Sequence, residues 1–287
     1  MSARPRRRSR SGRRPGLHVG CVVLVLALLA GVAGAGWWIF QNRTRITTPS
    51  FLAQCRATAS DSSVTVTHEQ AHYAAIIAGV SAQRGMVPRA ATIALATAYQ
   101  ESGIRNLDYG DRDSLGLFQQ RPSQDWGTVE QIMDPYYATH AFYDVLVTIP
   151  NWESSDINDT AQAVQRSGYP EAYRQHEGNA RILASVLTGQ SPAAMSCTVS
   201  EPGGGNPAAM AESLTLALGE LPTSEVEGEL HVAAADAQAW AVAHHAVANA
   251  DQLGVRQIRV GDQSWTAARD LSDWVAAEPV DGVVISF

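Results

Sequence analysis

Residues 90–98 constrain the fold more than any other part of this chain. They include no charged residue, and Thr92 and Thr97 are the only polar ones. A helix that is apolar on nearly every face is usually buried, so the stretch predicts a helix at the centre of a domain. Gly103 is expected to end this helix, and Glu101 is its first carboxylate.

Glu101 is the principal candidate for a catalytic residue. Burial disfavours the ionised form of a carboxyl group, and so does the negative end of a helix dipole, so both raise its pKa. A carboxylic acid that keeps its proton is what cleavage of a glycosidic bond requires. The alternative is a structural ion pair between Glu101 and Arg112 or Arg121.

Charge is distributed unevenly along the 287 residues. Residues 1–45 contain nine Arg and no acidic residue, whereas the remainder contains 12 Arg against 28 acidic residues. An acidic body excludes nucleic acid as a partner, because binding phosphates needs a positive surface. The hydrophobic share of 45% is sufficient for a globular core.

The uncharged residues 19–40 predict a single transmembrane helix. At 1.5 Å per residue they span roughly 33 Å, enough for the hydrocarbon core of a bilayer. Seven Arg precede the run and two follow it closely, which places the N-terminus in the cytoplasm and the rest outside. The alternative is a cleaved signal peptide with a small-residue site at 33–35 and a secreted product.

Three Cys are present, and Cys21 falls inside the apolar run. Cys55 and Cys197 lie on either side of the Glu101 region, in a compartment that permits disulfides. We therefore expect Cys55 and Cys197 to form a disulfide bond.

The sequence divides into six segments. Thr67 and Gln70 resemble a capping box at the start of a helix, and further helices are predicted from Pro88 and, near the end of the region, over 171–187. Residues 255–260 and 282–287 read as strands. The order is a basic cytoplasmic tail (1–18), a transmembrane helix (19–40), a stalk (41–54), a mainly α-helical domain (55–197), a Gly/Pro linker (198–209) and a small α/β domain (210–287).

Glu101-Ser102 followed by residues 116–119, Gly-Leu-Phe-Gln, resembles the Glu-Ser and Gly-Leu-Met-Gln signature of soluble lytic transglycosylases. Residues 109–112, Tyr-Gly-Asp-Arg, are similar to a segment of goose-type lysozymes. The resemblance covers roughly residues 65–190 and implies a mainly α lysozyme-like fold that acts on peptidoglycan glycan strands. A Tyr-Asn-Ala-Gly segment of the transglycosylases is replaced by Gln-Arg-Ser-Gly at 165–168.

The resemblance identifies Glu101 as the catalytic acid. In the lytic reaction no second carboxylate is needed, whereas in the hydrolytic reaction a second carboxylate positions water. Asp111 matches the goose-type acid and Asp113 stands beside it, although an Asp-rich turn commonly caps its own backbone. The expected substrate-binding residues are Ser102, Gln119, Gln120, Gln165 and Arg166.

Metal and cofactor sites are not predicted. A calcium loop that starts at Asp111 would need Glu at its twelfth position, where Pro122 stands. His244 and His245 are adjacent on a predicted helix, so they point about 100° apart and cannot chelate one metal well.

The sequence therefore predicts a membrane-anchored, exported enzyme that cleaves the glycan strands of peptidoglycan without a cofactor. The membrane and a cell-envelope protein are the other expected partners. The alternative function is a catalytically inactive lysozyme-like module that binds peptidoglycan or serves as a scaffold in a cell-envelope complex.

Overall fold

The computed structural model describes residues 53–169 and 171–287. The predicted cytoplasmic tail and transmembrane helix, and residues 41–52 of the predicted stalk, lie outside the described residues. Within the described part, no helix combines the length and apolarity needed to cross a bilayer.

A three-stranded antiparallel sheet joins the two ends of the region that carries Glu101. Its strands are β1 (Gln54–Ala59), β2 (Ser62–Thr67) and β3 (Met195–Cys197), in the order β2-β1-β3. Cys55 lies directly opposite Cys197 in the register, and the two form a disulfide bond within the core. The predicted disulfide is confirmed.

Six helices lie between β2 and β3: α1 (His68–Gln83), α2 (Pro88–Ser102), α3 (Val129–Met133), α4 (Pro135–Leu146), α5 (Ile157–Gln165) and α6 (Glu177–Leu187). The first begins with the predicted capping box, in which Thr67 and Gln70 each bind the other's backbone N–H. Helix α2 is central, because it packs against α1, α4, α5 and α6.

Residues 198–287 form three helices and a second antiparallel sheet. The helices are α7 (Pro207–Leu218), α8 (Asp236–Ala248) and α9 (Ala250–Leu253). The strands are β4 (Thr223–Val226), β5 (Glu229–Val232), β6 (Gln257–Thr266) and β7 (Val275–Ser286), in the order β4-β5-β7-β6. Helix α8 contacts α1, α6, β3 and β6, so its buried face completes a shared core.

Residues 52–287 form one compact unit, and both predicted domains contribute to its core. The fold class expected from the sequence, a mainly α-helical lysozyme-like domain followed by a small α/β domain, is wrong. The described residues contain two antiparallel sheets, one of them built from the segments that flank the first helical region. Strand β3 has only three residues, too few to show an alternating pattern.

Candidate functional site around Glu101

Glu101 occupies the last turn of α2. The preceding residues 90–98 are all buried, as their apolar character predicts. Gly103 ends the helix in the left-handed conformation, at φ 67°, where a side chain would be strained. Glu101 itself is half-buried, so its carboxyl group lies at the boundary between the core and solvent.

Tyr173 binds the Glu101 carboxyl group directly. Its phenolic hydroxyl, which is fully buried, donates a hydrogen bond of 2.7 Å to Glu101 Oε1. Burial raises the pKa of Glu101, while the contacts with Tyr173 and Gln165 favour the carboxylate and lower it. Burial is the largest effect, so the pKa of Glu101 is raised overall. The pKa of Tyr173 is also raised, by burial and by the nearby charge of Glu101.

Gln165 connects Glu101 to the Gly-Leu-Phe-Gln turn. It is the last residue of α5, and its Nε2 donates to the carbonyl oxygen of Phe118 at 2.7 Å. Its amide also acts on the pKa of Glu101, so this predicted substrate-binding residue lies in the site. Arg166 follows Gln165 and ends α5 in the left-handed conformation, at φ 52°. It is exposed, so its side chain is accessible to a ligand.

Ser102 has a structural contact rather than a free hydroxyl. Its Oγ donates to the carbonyl oxygen of Leu117 at 2.7 Å and accepts the backbone N–H of Arg105 at 3.1 Å. Because the side chain is buried, the predicted contact between Ser102 and substrate is not available in this arrangement. The hydroxyl instead holds the turn against the end of α2.

The two glutamines of the turn differ in their accessibility. Gln119 is half-buried, and its Nε2 donates to the backbone oxygens of Tyr109 at 3.3 Å and Gly116 at 3.4 Å. Gln120 is buried, and its Nε2 donates to the carbonyl oxygen of Ala138 at 3.1 Å. Gln119 therefore remains a candidate for binding a ligand, whereas Gln120 joins the turn to α4.

The two aspartates predicted as second carboxylates, Asp113 and Asp111, contact residues outside the Glu101 site. Asp113 accepts a hydrogen bond from Arg121 Nε at 2.7 Å and another from the backbone N–H of Ser123 at 2.9 Å. These contacts hold its pKa well below the usual range. The side chain of Asp111 is 93% exposed, with Arg112 Nε 3.8 Å away. Asp113 is therefore occupied by contacts of its own, and Asp111 is surrounded by solvent.

The alternative interpretation of Glu101 as half of an ion pair fits this geometry poorly. Arg121 pairs with Asp113, and Arg112 lies beside Asp111. No ion pair within the described residues includes Glu101. Its neighbours are instead a neutral hydroxyl and a neutral amide.

Sequence reasoning missed Tyr173, the closest partner of Glu101. The predicted helix over 171–187 placed Tyr173 within regular structure, whereas α6 begins at Glu177 after a short 3-10 helix, Arg174–His176. Tyr173 therefore lies at the end of a loop that folds back on α2. Pro170 and the polar residues around it were the available signal for that loop.

No group of three His, Cys, Asp or Glu residues in the described ranges is arranged to hold a metal ion. His244 and His245, the adjacent pair on α8, are both buried and bind different partners.

Comparison of the chain with protein-family models gives no match. Comparison with curated proteins gives no match either. A functional assignment therefore depends on the side chains around Glu101 and on the local resemblance carried by residues 101–119.

Proposed function

We propose that this protein cleaves the glycan strand of peptidoglycan, with Glu101 as the general acid. One observation carries the proposal: a half-buried carboxyl group with a raised pKa, bound by Tyr173 and free of any described ion pair. A raised pKa keeps the carboxyl group protonated to a higher pH than that of an exposed Glu, and the proton is what a general acid must donate. The resemblance to lytic transglycosylases at residues 101–119 supports the same reaction.

In the proposed reaction Glu101 acts twice. Its carboxyl proton goes to the glycosidic oxygen as the bond between that oxygen and the sugar C1 breaks. The resulting carboxylate then removes the proton of the sugar's own 6-hydroxyl, whose oxygen bonds to C1. A 1,6-anhydro ring forms, Glu101 regains its proton, and no water is consumed.

The lytic route is preferred here over hydrolysis. Hydrolysis requires a second carboxylate placed to activate water or to attack the sugar. Asp113 is engaged by Arg121 and Ser123, and Asp111 extends into solvent. The geometry therefore supports a reaction with one catalytic carboxylate.

Tyr173 and Gln165 are proposed to position the acid. The Tyr and Asn of the family's Tyr-Asn-Ala-Gly segment are absent from residues 165–168. A hydroxyl and an amide nevertheless lie beside Glu101, the hydroxyl from Tyr173 and the amide from Gln165. The absence of the two family residues therefore does not deprive Glu101 of polar partners.

We also propose that the protein acts outside the cytoplasm, anchored by residues 19–40. The disulfide between Cys55 and Cys197 supports this location, because structural disulfides persist in oxidising compartments. An anchor would keep the enzyme next to the cell wall and limit how far it reaches. Secretion after signal cleavage would leave the same chemistry without that limit.

The test is digestion of purified peptidoglycan by the purified protein, with the masses of the released fragments measured. Fragments with 1,6-anhydro ends are expected, each lighter by one water than a hydrolytic product. The Glu101→Gln variant should lose activity by about 10²–10⁴-fold, because it cannot donate a proton. Glu153→Gln, at an exposed glutamate, is the matched control and should retain full activity.

Release of reducing ends by the wild-type protein would instead support hydrolysis. Intact peptidoglycan that still binds the protein would contradict the enzymatic proposal and favour the inactive binding module. Equal activity of the Glu101→Gln variant and the wild type would remove Glu101 from the mechanism.

A further inference from the structure

Two tyrosines stand apart from the others in their exposure to solvent. The side chain of Tyr169 is 77% exposed and that of Tyr109 is 64% exposed. All other tyrosines in the described part of the chain are buried or half-buried: Tyr73, Tyr99, Tyr136, Tyr137, Tyr143 and Tyr173. An aromatic ring held in water keeps a large apolar surface without a partner, which marks a candidate binding position.

Both exposed rings belong to the segments that border Glu101. Tyr109 lies between the end of α2 and the Gly-Leu-Phe-Gln turn, within a segment closed by a bridge between Leu107 and Gly116. Tyr169 lies between α5 and Tyr173, whose hydroxyl binds Glu101. Each tyrosine is connected to the site through one intermediate residue: Tyr109 contacts Gln119 of the turn, and Tyr169 contacts Ser167, which interacts with Tyr173.

The backbone at each tyrosine makes a hydrogen bond to a nearby side chain. The carbonyl oxygen of Tyr109 accepts a hydrogen bond from Gln119 Nε2 at 3.3 Å. The backbone N–H of Tyr169 donates to Ser167 Oγ at 3.1 Å, and the Ser167 hydroxyl also interacts with Tyr173. A tyrosine has only two side-chain torsions to order, so its ring provides contact area at low entropic cost.

We propose that Tyr109 and Tyr169 are stacking platforms for two sugar rings of a glycan strand. The C–H groups on the face of a pyranose ring are weakly positive, and the face of an aromatic ring is negative, so the two faces attract each other. This inference rests on the proposed function, since it names how that site grips its polymer. It assigns to the two tyrosines a binding role that is separate from proton transfer by Glu101.

Stacking also suits the charge of this protein. After residue 45 the chain contains 12 Arg against 28 acidic residues, so its net charge does not attract an anionic polymer. Contact between rings involves no net charge and is insensitive to salt screening. The two tyrosines therefore provide an attraction to glycan that does not depend on the net charge of the protein.

The experiment measures binding of chitohexaose, an uncharged oligomer of N-acetylglucosamine, by isothermal titration calorimetry. The full chain is used with Glu101→Gln in every variant, so that no turnover occurs. On this background Tyr169→Ala and Tyr109→Ala are each expected to raise Kd by up to about tenfold. Tyr169→Phe and Tyr109→Phe keep the ring and are expected to bind within about twofold of the parent.

Val226→Ala is the control for loss of exposed apolar surface. Val226 is 49% exposed and lies on β4, outside both segments that border Glu101, so its substitution should leave Kd unchanged. Circular dichroism of each variant checks the fold, which substitutions at exposed rings should preserve.

The inference is overturned if both alanine variants bind as tightly as the parent. It is also overturned if the parent does not bind chitohexaose, or if the phenylalanine variants lose as much affinity as the alanine variants. Ring-dependent binding by a protein that cleaves no peptidoglycan would refute the proposed function and leave the platforms intact. Cleavage that needs Glu101 but neither ring would refute the platforms alone.

Discussion

The phenolic oxygen of Tyr173 lies 2.7 Å from Oε1 of Glu101. This bond joins the loop before α6 to the last turn of α2, at the point where a buried helix meets solvent. It also opposes the effect of burial, because a donor that binds the carboxylate lowers the pKa that burial raises. The proton affinity of Glu101 is therefore set by two opposing contributions.

Tyr173→Phe removes the donor and leaves the ring. Since the bond from Tyr173 lowers the pKa of Glu101, its loss should raise that pKa further. The alkaline limb of the pH–rate profile, where the acid loses its proton, should move to higher pH. The measurement is kcat/KM for peptidoglycan cleavage from pH 4 to 9. An alkaline limb that stays at the same pH or moves to lower pH would contradict the role given to Tyr173.

Glu101→Gln should make the protein more stable above neutral pH. The pKa of Glu101 is raised in the folded state, so its contribution to stability is fully present below the unfolded pKa. That contribution is lost as pH rises through the folded pKa, because the half-buried carboxylate must then ionise. Glutamine has no such loss.

Chemical denaturation at pH 4 and pH 8 checks this expectation. The free energy of unfolding of Glu101→Gln should exceed that of the wild type at pH 8, and the difference should shrink at pH 4. Glu153→Gln, at an exposed position, should show no such pH-dependent difference. A Glu101→Gln protein less stable than the wild type at pH 8 would contradict the account.

Asp111→Asn distinguishes the lytic route from the hydrolytic one. The side chain of Asp111 is 93% exposed and lies beside Arg112. A mechanism with one carboxylate predicts activity within about twofold of the wild type, as for most surface substitutions. A loss of about 100-fold or more in fragment release would indicate general base catalysis by Asp111 and favour hydrolysis.

His244 should make the fold sensitive to acid. Its Nδ1 lies 2.7 Å from the carbonyl oxygen of Val186 and its Nε2 accepts the backbone N–H of Ala194 at 3.2 Å, so the ring is neutral. Burial lowers the pKa of His244 to about 4, from a usual value near 6.5. Below pH 6.5 the unfolded chain binds a proton that the folded chain does not, so stability should fall as pH drops toward 4.

The expected loss is roughly 1 kcal/mol for each pH unit below 6.5, and His245, with its pKa lowered to about 3, adds to it. Thermal unfolding between pH 4 and 8 measures it. His244→Asn should be less stable at pH 7 but show a shallower dependence on pH. His231→Asn, at a partly exposed histidine, should keep the wild-type slope.

Removal of the disulfide should destabilise the whole unit. The Cys55→Ser, Cys197→Ser double variant is expected to lose about 2–5 kcal/mol in the free energy of unfolding. The bond joins residues 142 positions apart. Without it the unfolded chain has a higher conformational entropy, which favours unfolding. Urea denaturation measures the difference, Cys21→Ser serves as the control, and equal stability of the double variant would refute the expectation.

The parts of the structure that sequence reasoning predicted have strong local signals. Residues 90–98 are buried in α2 because they have no polar face to expose. The start of α1 was predicted because Thr67 and Gln70 have the residue types and the three-residue spacing of a capping box, and the two residues do form its reciprocal hydrogen bonds. The disulfide was expected because two cysteines flank the Glu101 region of a chain that the sequence predicts to be exported.

The parts that sequence reasoning missed depend on long-range contacts. Strand β4 is exposed at all four positions, so it has no hydrophobic alternation, and it exists because it pairs with β5. Tyr173 contacts a residue 72 positions earlier, and nothing in the local pattern specifies that distance. Ser102 was predicted to bind substrate from the resemblance of the Glu-Ser signature, whereas its hydroxyl donates a hydrogen bond to the carbonyl oxygen of Leu117.

The pairing of Cys55 with Cys197 would have a mechanical consequence in a protein anchored as proposed above. The chain enters and leaves the Glu101-bearing region at adjacent strands, β1 and β3. Tension that reaches the backbone at Cys55 and Cys197 would pass through the sulfur–sulfur bond and not along the chain that joins these two residues. The acid and its tyrosine would therefore keep their spacing while the flanking chain is stretched.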